Sequence, residues 1–309
     1  MNRIAPIRTV IFFLLFIALL APPPVSASAS FSVVSEDQFF DSEGVRIRFI
    51  DVGPRDGEPV LLIHGGFSNL DSQWIRSGVI DALDEAYRVI ALDLRGHGLS
   101  DKPHDPEMYG NAMVLDVVRL LNHLEIEKAH IVGYSMGGAI TYRLVADHPR
   151  LVISAMPCGT GYGPPSQVRT EMLERVAKSL EESGSIRPAL DHYVTDGSLT
   201  EAQVDRIVES TRESNDTMAL AAVVRSIPRL RPDRAKLEAN QVPCLCIIGE
   251  NDPNREALDA MLQYMPHLEA KVIKDANHMT AYRDPQFIAS IVSFIGMHDS
   301  EAASDDGSR

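Results

Sequence analysis

Apolar and polar positions change period along the chain, and each change marks an element. Phe31 to Val34 and Val45 to Val52 read as two strands around the turn signal Asp41-Ser-Glu-Gly44, an antiparallel start. Beyond the break at Gly53-Pro54, short apolar runs alternate with helical spacings. Val60 to Ile63 predicts a buried strand, Asp71 to Ala86 a helix and Arg88 to Leu92 the next strand. Asn111 to Leu124 carries Met113, Val114, Val117, Leu120, Leu121 and Leu124 at helical intervals; a strand at Ala129 to Gly133, a helix at Gly137 to Asp147 and a strand at Leu151 to Met156 follow. Residues 159–236 break this rhythm, with Gly and Pro punctuation and then polar helical stretches such as Glu171 to Glu182 and Glu201 to Glu213. Strand-like runs resume at Val242 to Ile248 and Ala270 to Ile273. Pro285 to Ile295 predicts a closing helix with Phe287, Ile288, Ile291, Val292 and Ile295 on one face, and polar His298 to Arg309 reads as a disordered tail.

Strands alternating with helices predict an α/β fold, with a mostly parallel sheet covered on both faces and ligands gathered at the carboxyl ends of its strands. Residues 30–158 and 237–297 form its two parts, and 159–236 is a helical insertion. Residues 1–29 stand apart. A basic start (Arg3, Arg8), the apolar run Val10 to Ala21 and small residues up to Ala27 or Ala29 read as a secretory signal peptide. The alternative is an uncleaved membrane anchor, for which a dozen or so apolar residues fall short of the ~20 needed.

Charge and cysteine content narrow the function. The 309 residues carry 43 Asp and Glu against 29 Lys and Arg, a net charge of −14. Such a surface does not attract phosphate backbones, so nucleic acid is excluded as a partner. Cys158, Cys244 and Cys246 are too few for a disulfide scaffold in an exported protein. Cys244 and Cys246, about 6.6 Å apart in a strand, have poor geometry for a mutual disulfide, and no His or Cys cluster accompanies them at metal-ligand spacing, while Cys158 pairing with one of them stays open.

Gly133-Tyr-Ser-Met-Gly137 joins a predicted strand directly to a predicted helix. A sharp turn of this kind leaves little room around its centre and pushes the Ser135 hydroxyl out of the sheet. A serine needs a base to become a nucleophile, and the base needs an orienting acid. Both follow in order at later strand ends, Asp252 in Gly249-Glu-Asn-Asp-Pro253 and His278 in Asp275-Ala-Asn-His-Met279, with Glu250 and Asp275 as rival carboxylates. Donors for a developing oxyanion are expected from the Met136 N–H and, in the loop His64-Gly-Gly-Phe67, from Gly66 first and Phe67 second.

With these residues assembled, and with Asp93-Leu-Arg-Gly-His-Gly-Leu-Ser100 matching a D-x-R-G-x-G-x-S loop, the chain resembles the α/β-hydrolase superfamily over about residues 45–296. The resemblance implies an eight-stranded sheet with a helical cap inserted after the sixth strand, and a mainly structural role for the Asp93 loop. It also sets aside relatives with an aspartate nucleophile, since Ser135 stands at that position. The function expected is an exported serine hydrolase that cleaves a small or medium uncharged carboxylic ester through an acyl-serine, without metal or organic cofactor. Alternatives are a carbon–carbon bond hydrolase or perhydrolase-like enzyme at the same triad, and a non-catalytic binding protein on a hydrolase scaffold. Met172, Leu173, Leu180, Leu190, Tyr193, Met218, Leu220 and Val224 are candidate cavity residues, Phe67 and Trp74 candidate acyl-pocket residues. Arg225, Arg229, Arg231 and Arg234 read as a solvated face.

Overall fold

The chain reverses at Asp41 to Gly44, where Glu43 and Gly44 take φ of 55° and 83°. On either side, β1 (Gln38–Asp41) and β2 (Arg46–Val52) pair antiparallel. The computed structural model describes residues 36–164 and 167–299. The strand expected at Phe31 to Val34 lies outside the described residues, as do the signal segment and residues 300–309 of the tail. The strand that pairs across the turn is instead Gln38–Asp41, directly beside it.

Next come β3 (Pro59–Ile63), β4 (Arg88–Leu92), α1 (Asn111–His123), β5 (Ala129–Tyr134), α2 (Met136–Asp147) and β6 (Val152–Cys158). The helices α3 (Gln167–Ser183), α4 (Arg187–Tyr193), α5 (Glu201–Ser214), α6 (Thr217–Ser226) and α7 (Arg234–Glu238) follow, with no strand among the described residues of this stretch. The chain then returns as β7 (Cys244–Gly249), α8 (Arg255–Met261), β8 (Leu268–Ile273) and α9 (Pro285–Met297). Seven-residue α8 has no counterpart in the sequence reading, because two turns show too little periodicity to be recognised. The eight strands form one sheet in the order β1-β2-β4-β3-β5-β6-β7-β8. Antiparallel pairing is confined to β1–β2 and β2–β4, and the rest is parallel.

Strand side chains alternate between two cores, as the two-residue pleat requires. Leu61, Ile63, Ile90 and Leu92 pack on the face covered by α1 and α2, while Val60, Leu62, Val89 and Ala91 pack on the face covered by Leu70 to Leu83 and α9. Burial on both faces explains why these strands read as continuous apolar runs. A third cluster, including Met172, Val176, Leu180, Leu190 and Leu220, lies within the inserted helices. No helix among the described residues is long and apolar enough to cross a membrane.

Two expectations need correction. Asp71 to Ala86 is not a regular helix: a π-turn at Asp71–Ile75 gives way to irregular turns. Ser77 Oγ donates to the Gln73 carbonyl at 2.5 Å and Gly78 takes φ 80°, so the helical ladder is interrupted. Its apolar face survives, with Leu70, Trp74, Val79, Ile80 and Leu83 buried. The disulfide left open for Cys158 is absent, since all three cysteines are free and buried. Burial pushes the Cys244 and Cys246 thiols up to about 12, which leaves them as small apolar fillers.

One buried ion pair links three elements around the entry to the sheet. Asp116 of α1 accepts Arg95 Nε and Nη2, both at 2.6 Å, and the Ser42 hydroxyl at 2.5 Å. Both charged side chains are essentially inaccessible. Truncating one leaves the other charged and unpaired, so Asp116→Ala should cost about 3–5 kcal/mol in urea unfolding, whereas breaking an exposed pair such as Arg234–Glu238 should leave the urea midpoint nearly unchanged.

Candidate active site

The turn between β5 and α2 places Ser135 with φ 54° and ψ −110°, a conformation that L-residues rarely adopt. Packing holds it there. A Cβ on Gly133 would stand 2.2 Å from the Gly137 carbonyl oxygen, and one on Gly137 would stand 2.1 Å from that of Ile63. Only glycine fits either position. The Ser135 amide donates to the Cys158 carbonyl at 2.9 Å, which ties the turn to the end of β6.

The loops after β7 and β8 meet at this serine. His278 Nε2 lies 3.0 Å from Ser135 Oγ, and His278 Nδ1 lies 2.7 Å from Asp252 Oδ2. A carboxylate only accepts, so Nδ1 carries the hydrogen and Nε2 is left to accept from the serine hydroxyl. Asp252 also accepts the Asn254 amide at 2.8 Å, and both Asp252 and His278 are buried. The rival carboxylates stay outside this relay. Both are exposed, and Glu250 is engaged in accepting the Asp275 amide at 3.0 Å.

The loop His64-Gly-Gly-Phe67 lies against the same turn. A Cβ on Gly65 would stand 3.3 Å from Ser135 Cβ, and Gln73 Oε1 accepts the Gly65 amide at 2.8 Å. Phe67 takes φ 61°. Among the described residues the Gly66 and Phe67 amides have no protein acceptor, and Met136 opens α2, where the first amides of a helix lack intrahelical partners. These three amides border the cavity that holds Ser135 and can receive negative charge there.

Asp93 supplies the frame beneath this loop. Fully buried, it accepts the amides of Leu70 and Leu99 at 2.9 and 2.8 Å and pairs with Arg48 at 3.1 Å. The Leu94 amide donates to His64 Nε2 at 3.0 Å, so His64 is a structural link between the two loops. Burial lowers His64 to about 4 and His97 to about 3, and both imidazoles are neutral in the fold.

Ser135 and His278 open into a cavity of about 740 Å³. Met172, Leu173, Leu190, Tyr193 and Val224 of the insertion line it, as does Phe67. Leu180 and Leu220 are buried among the inserted helices instead, Met218 is exposed, and Trp74 belongs to the sheet-side core. Arg225 pairs with Glu174 and Glu181, Arg229 with Glu107 and Arg234 with Glu238; Arg231 donates to the Gly163 carbonyl. The arginines that border the cavity are others: Arg76, Arg169, Arg206 and Arg283, with no Asp or Glu among the described lining residues. They come from four separate segments, so no local cluster reveals them.

The family model described as alpha/beta hydrolase fold matches residues 58–241. The chain belongs to that family. It is 31% identical over 252 residues to the dihydrolipoyllysine-residue acetyltransferase component of the acetoin cleaving system of Cupriavidus necator, covering 79% of this chain and 64% of that protein's length. It is 29% identical to 2-hydroxymuconate semialdehyde hydrolase of a Pseudomonas species, covering 84% of this chain and 94% of the relative. A solved carboxylesterase structure from Nitrososphaera gargenis has the same fold, with TM-score 0.71 and 22% identity, over 86% of this chain and 100% of that one.

The buried histidines of this hydrolase-fold chain set an acid limit on its stability. An unfolded histidine takes up its proton near pH 6.5, whereas His64 resists until about 4 and His97 until about 3. Their contribution is present above pH 6.5 and is lost progressively as pH falls toward 4. The loss for His64 alone should be on the order of 3 kcal/mol, read as denaturation midpoints between pH 7 and 4, and His97→Gln should make the decline shallower.

Proposed function

We propose that the protein is a serine hydrolase that cleaves small or medium carboxylic esters through an acyl-serine intermediate. The observation that carries this reading is the unbroken relay from Asp252 through His278 to Ser135, with steps of 2.7 and 3.0 Å at the wall of a large cavity. Ser135 Oγ attacks the ester carbonyl carbon while His278 Nε2 takes its proton, and the carbonyl oxygen collects the negative charge beside the Met136 amide and those of Gly66 and Phe67. As the C–O bond breaks, His278 returns the proton to the leaving alcohol. Water, activated by the same imidazole, then attacks the acyl carbon and frees Ser135. Asp252 holds the imidazole in the tautomer that both halves of the reaction need.

The cavity adjusts the substrate expected from the sequence. Arg76, Arg206 and Arg283 border it with no carboxylate among the described lining residues, which favours esters with an anionic end over uncharged ones. A second reading, carbon–carbon bond hydrolysis at the same residues, draws support from the 2-hydroxymuconate semialdehyde hydrolase that matches most of this chain. The binding-protein reading gains nothing from a relay with every member in place. Export belongs to this proposal too, with residues 1–29 acting as the signal and the helices between β6 and β7 as a cap over the substrate.

A fluorophosphonate should add one phosphonyl group per chain, at Ser135, in the protein matured after Ala27 or Ala29. Ser135→Ala should abolish both labelling and ester turnover with unchanged folding. Asp252→Asn should lower kcat by about 10⁴-fold; an equal loss in Asp275→Asn instead would reassign the acid. Among p-nitrophenyl esters of matched length, an acyl chain ending in carboxylate should give the higher kcat/KM, by about tenfold at low salt and less at 0.5 M salt, where a Debye length of a few ångströms screens the arginines.

A further inference from the structure

His278 is held by more than the relay. The Tyr193 ring, at the last residue of α4, stacks on the imidazole with centroids 4.2 Å apart and planes 20° from parallel. Tyr193 is half-buried at the edge of the insertion core and stands beside Asn254, whose own backbone amide donates to Asp252 at 2.8 Å. A few residues further on, Asp196 Oδ2 and Ser198 Oγ accept the two N–H groups of the Asn277 side chain at 2.8 and 2.9 Å. Asn277 directly precedes the histidine, and its Oδ1 accepts the amides of Met279 and Thr280 at 2.8 and 3.1 Å. The short connection between α4 and α5 therefore touches the base, the loop carrying the base and the residue that holds the acid.

The sheet contributes a different restraint. Tyr134 of β5 donates its hydroxyl to the His278 carbonyl at 2.6 Å and packs on Tyr282 and Phe287. That bond fixes the main chain of the base, and the Tyr134 ring stands 5.3 Å from the imidazole at a tilt of 42°, a looser contact than the Tyr193 stack. Rotation is what the stacked ring opposes, because a turn of the imidazole out of its plane drives it into Tyr193 and breaks both relay hydrogen bonds together.

We propose that residues Tyr193 to Ser198 are a positioning clamp: the insertion, through the Tyr193 ring and the Asp196–Asn277–Ser198 hydrogen bonds, holds the His278 imidazole in the plane that joins Asp252 to Ser135. The relay is then competent only while the insertion is seated on the sheet domain. Tyr193 is a positioning residue, since it acts through the base. The proposal rests on the serine-hydrolase reading for its kinetic consequences, although the clamp itself is a statement about the imidazole.

The test compares Tyr193→Phe, Tyr193→Leu and the double variant Asp196→Ala/Ser198→Ala with the wild type. Three quantities are read: p-nitrophenyl ester kinetics, fluorophosphonate labelling rate, and the downfield proton resonance of His278 Nδ1 in its bond to Asp252. Tyr193→Phe keeps the stack and should retain at least half of kcat. Tyr193→Leu should lose at least tenfold in kcat and in labelling rate with KM changed less than threefold, and its Nδ1 resonance should broaden or vanish at an unchanged melting temperature. The double variant should fall between them, and it carries the test should Tyr193→Leu fail to fold. A wild-type labelling rate in Tyr193→Leu, or a loss confined to KM, overturns the clamp. An unlabelled wild type whose Nδ1 resonance still collapses in Tyr193→Leu keeps the clamp and removes the serine-hydrolase reading.

Discussion

The strained backbone at Ser135 is the constraint from which the rest of the site follows. Holding a non-glycine residue at φ 54° and ψ −110° costs on the order of 1–3 kcal/mol, and the molecule must supply that from packing elsewhere. It does so by bringing backbone against backbone. Gly133 and Gly137 let β3, β5 and the start of α2 approach more closely than any side chain allows, and Gly65 lies in tight contact with the same turn. The same closeness puts the His64–Phe67 loop beside the serine, so one steric solution both raises the hydroxyl and surrounds it with amides.

Around that turn the molecule separates buried, paired charge from charge that faces the cavity. Arg48–Asp93 and Arg95–Asp116 are inaccessible ion pairs that fix loops relative to the sheet. Buried pairs of this kind add little net stability over an apolar packing, and their value is geometric. Asp93 illustrates it, gathering the Leu70 and Leu99 amides and Arg48 on one carboxylate below the loops around Ser135. The cavity arginines are the opposite case, since Arg76, Arg206 and Arg283 have no acidic partner among the described residues.

Much of this was legible in the sequence because it is local. Buried strands declare themselves as apolar runs, and the Ser135, Asp252 and His278 segments each sit in a short loop after such a run, so their order along the chain already resembles a family pattern. What stayed hidden depends on distance or on irregular backbone. Tyr193 was a candidate wall residue, but nothing within a window of sequence says that its ring rests on an imidazole 85 positions later. The turns of 71–86 kept helical spacing in their apolar residues while Ser77 and Gly78 undid the hydrogen bonds, which periodicity does not register. Gln73, which holds the Gly65 amide, looks like any polar helix residue until the loop folds over it.

The insertion leaves the sheet after β6 and re-enters at β7, and these two strands are neighbours in the sheet. Helices added, removed or exchanged between them therefore need not alter any strand register or the glycine-lined turn at β5. The walls of the cavity are free to drift in sequence while Ser135 stays fixed, with one reservation set by the end of α4 and the short connection after it. A transplanted set of helices must bring its own contact to the imidazole, so the scaffold accepts new walls as a cassette only if one of them also closes on His278.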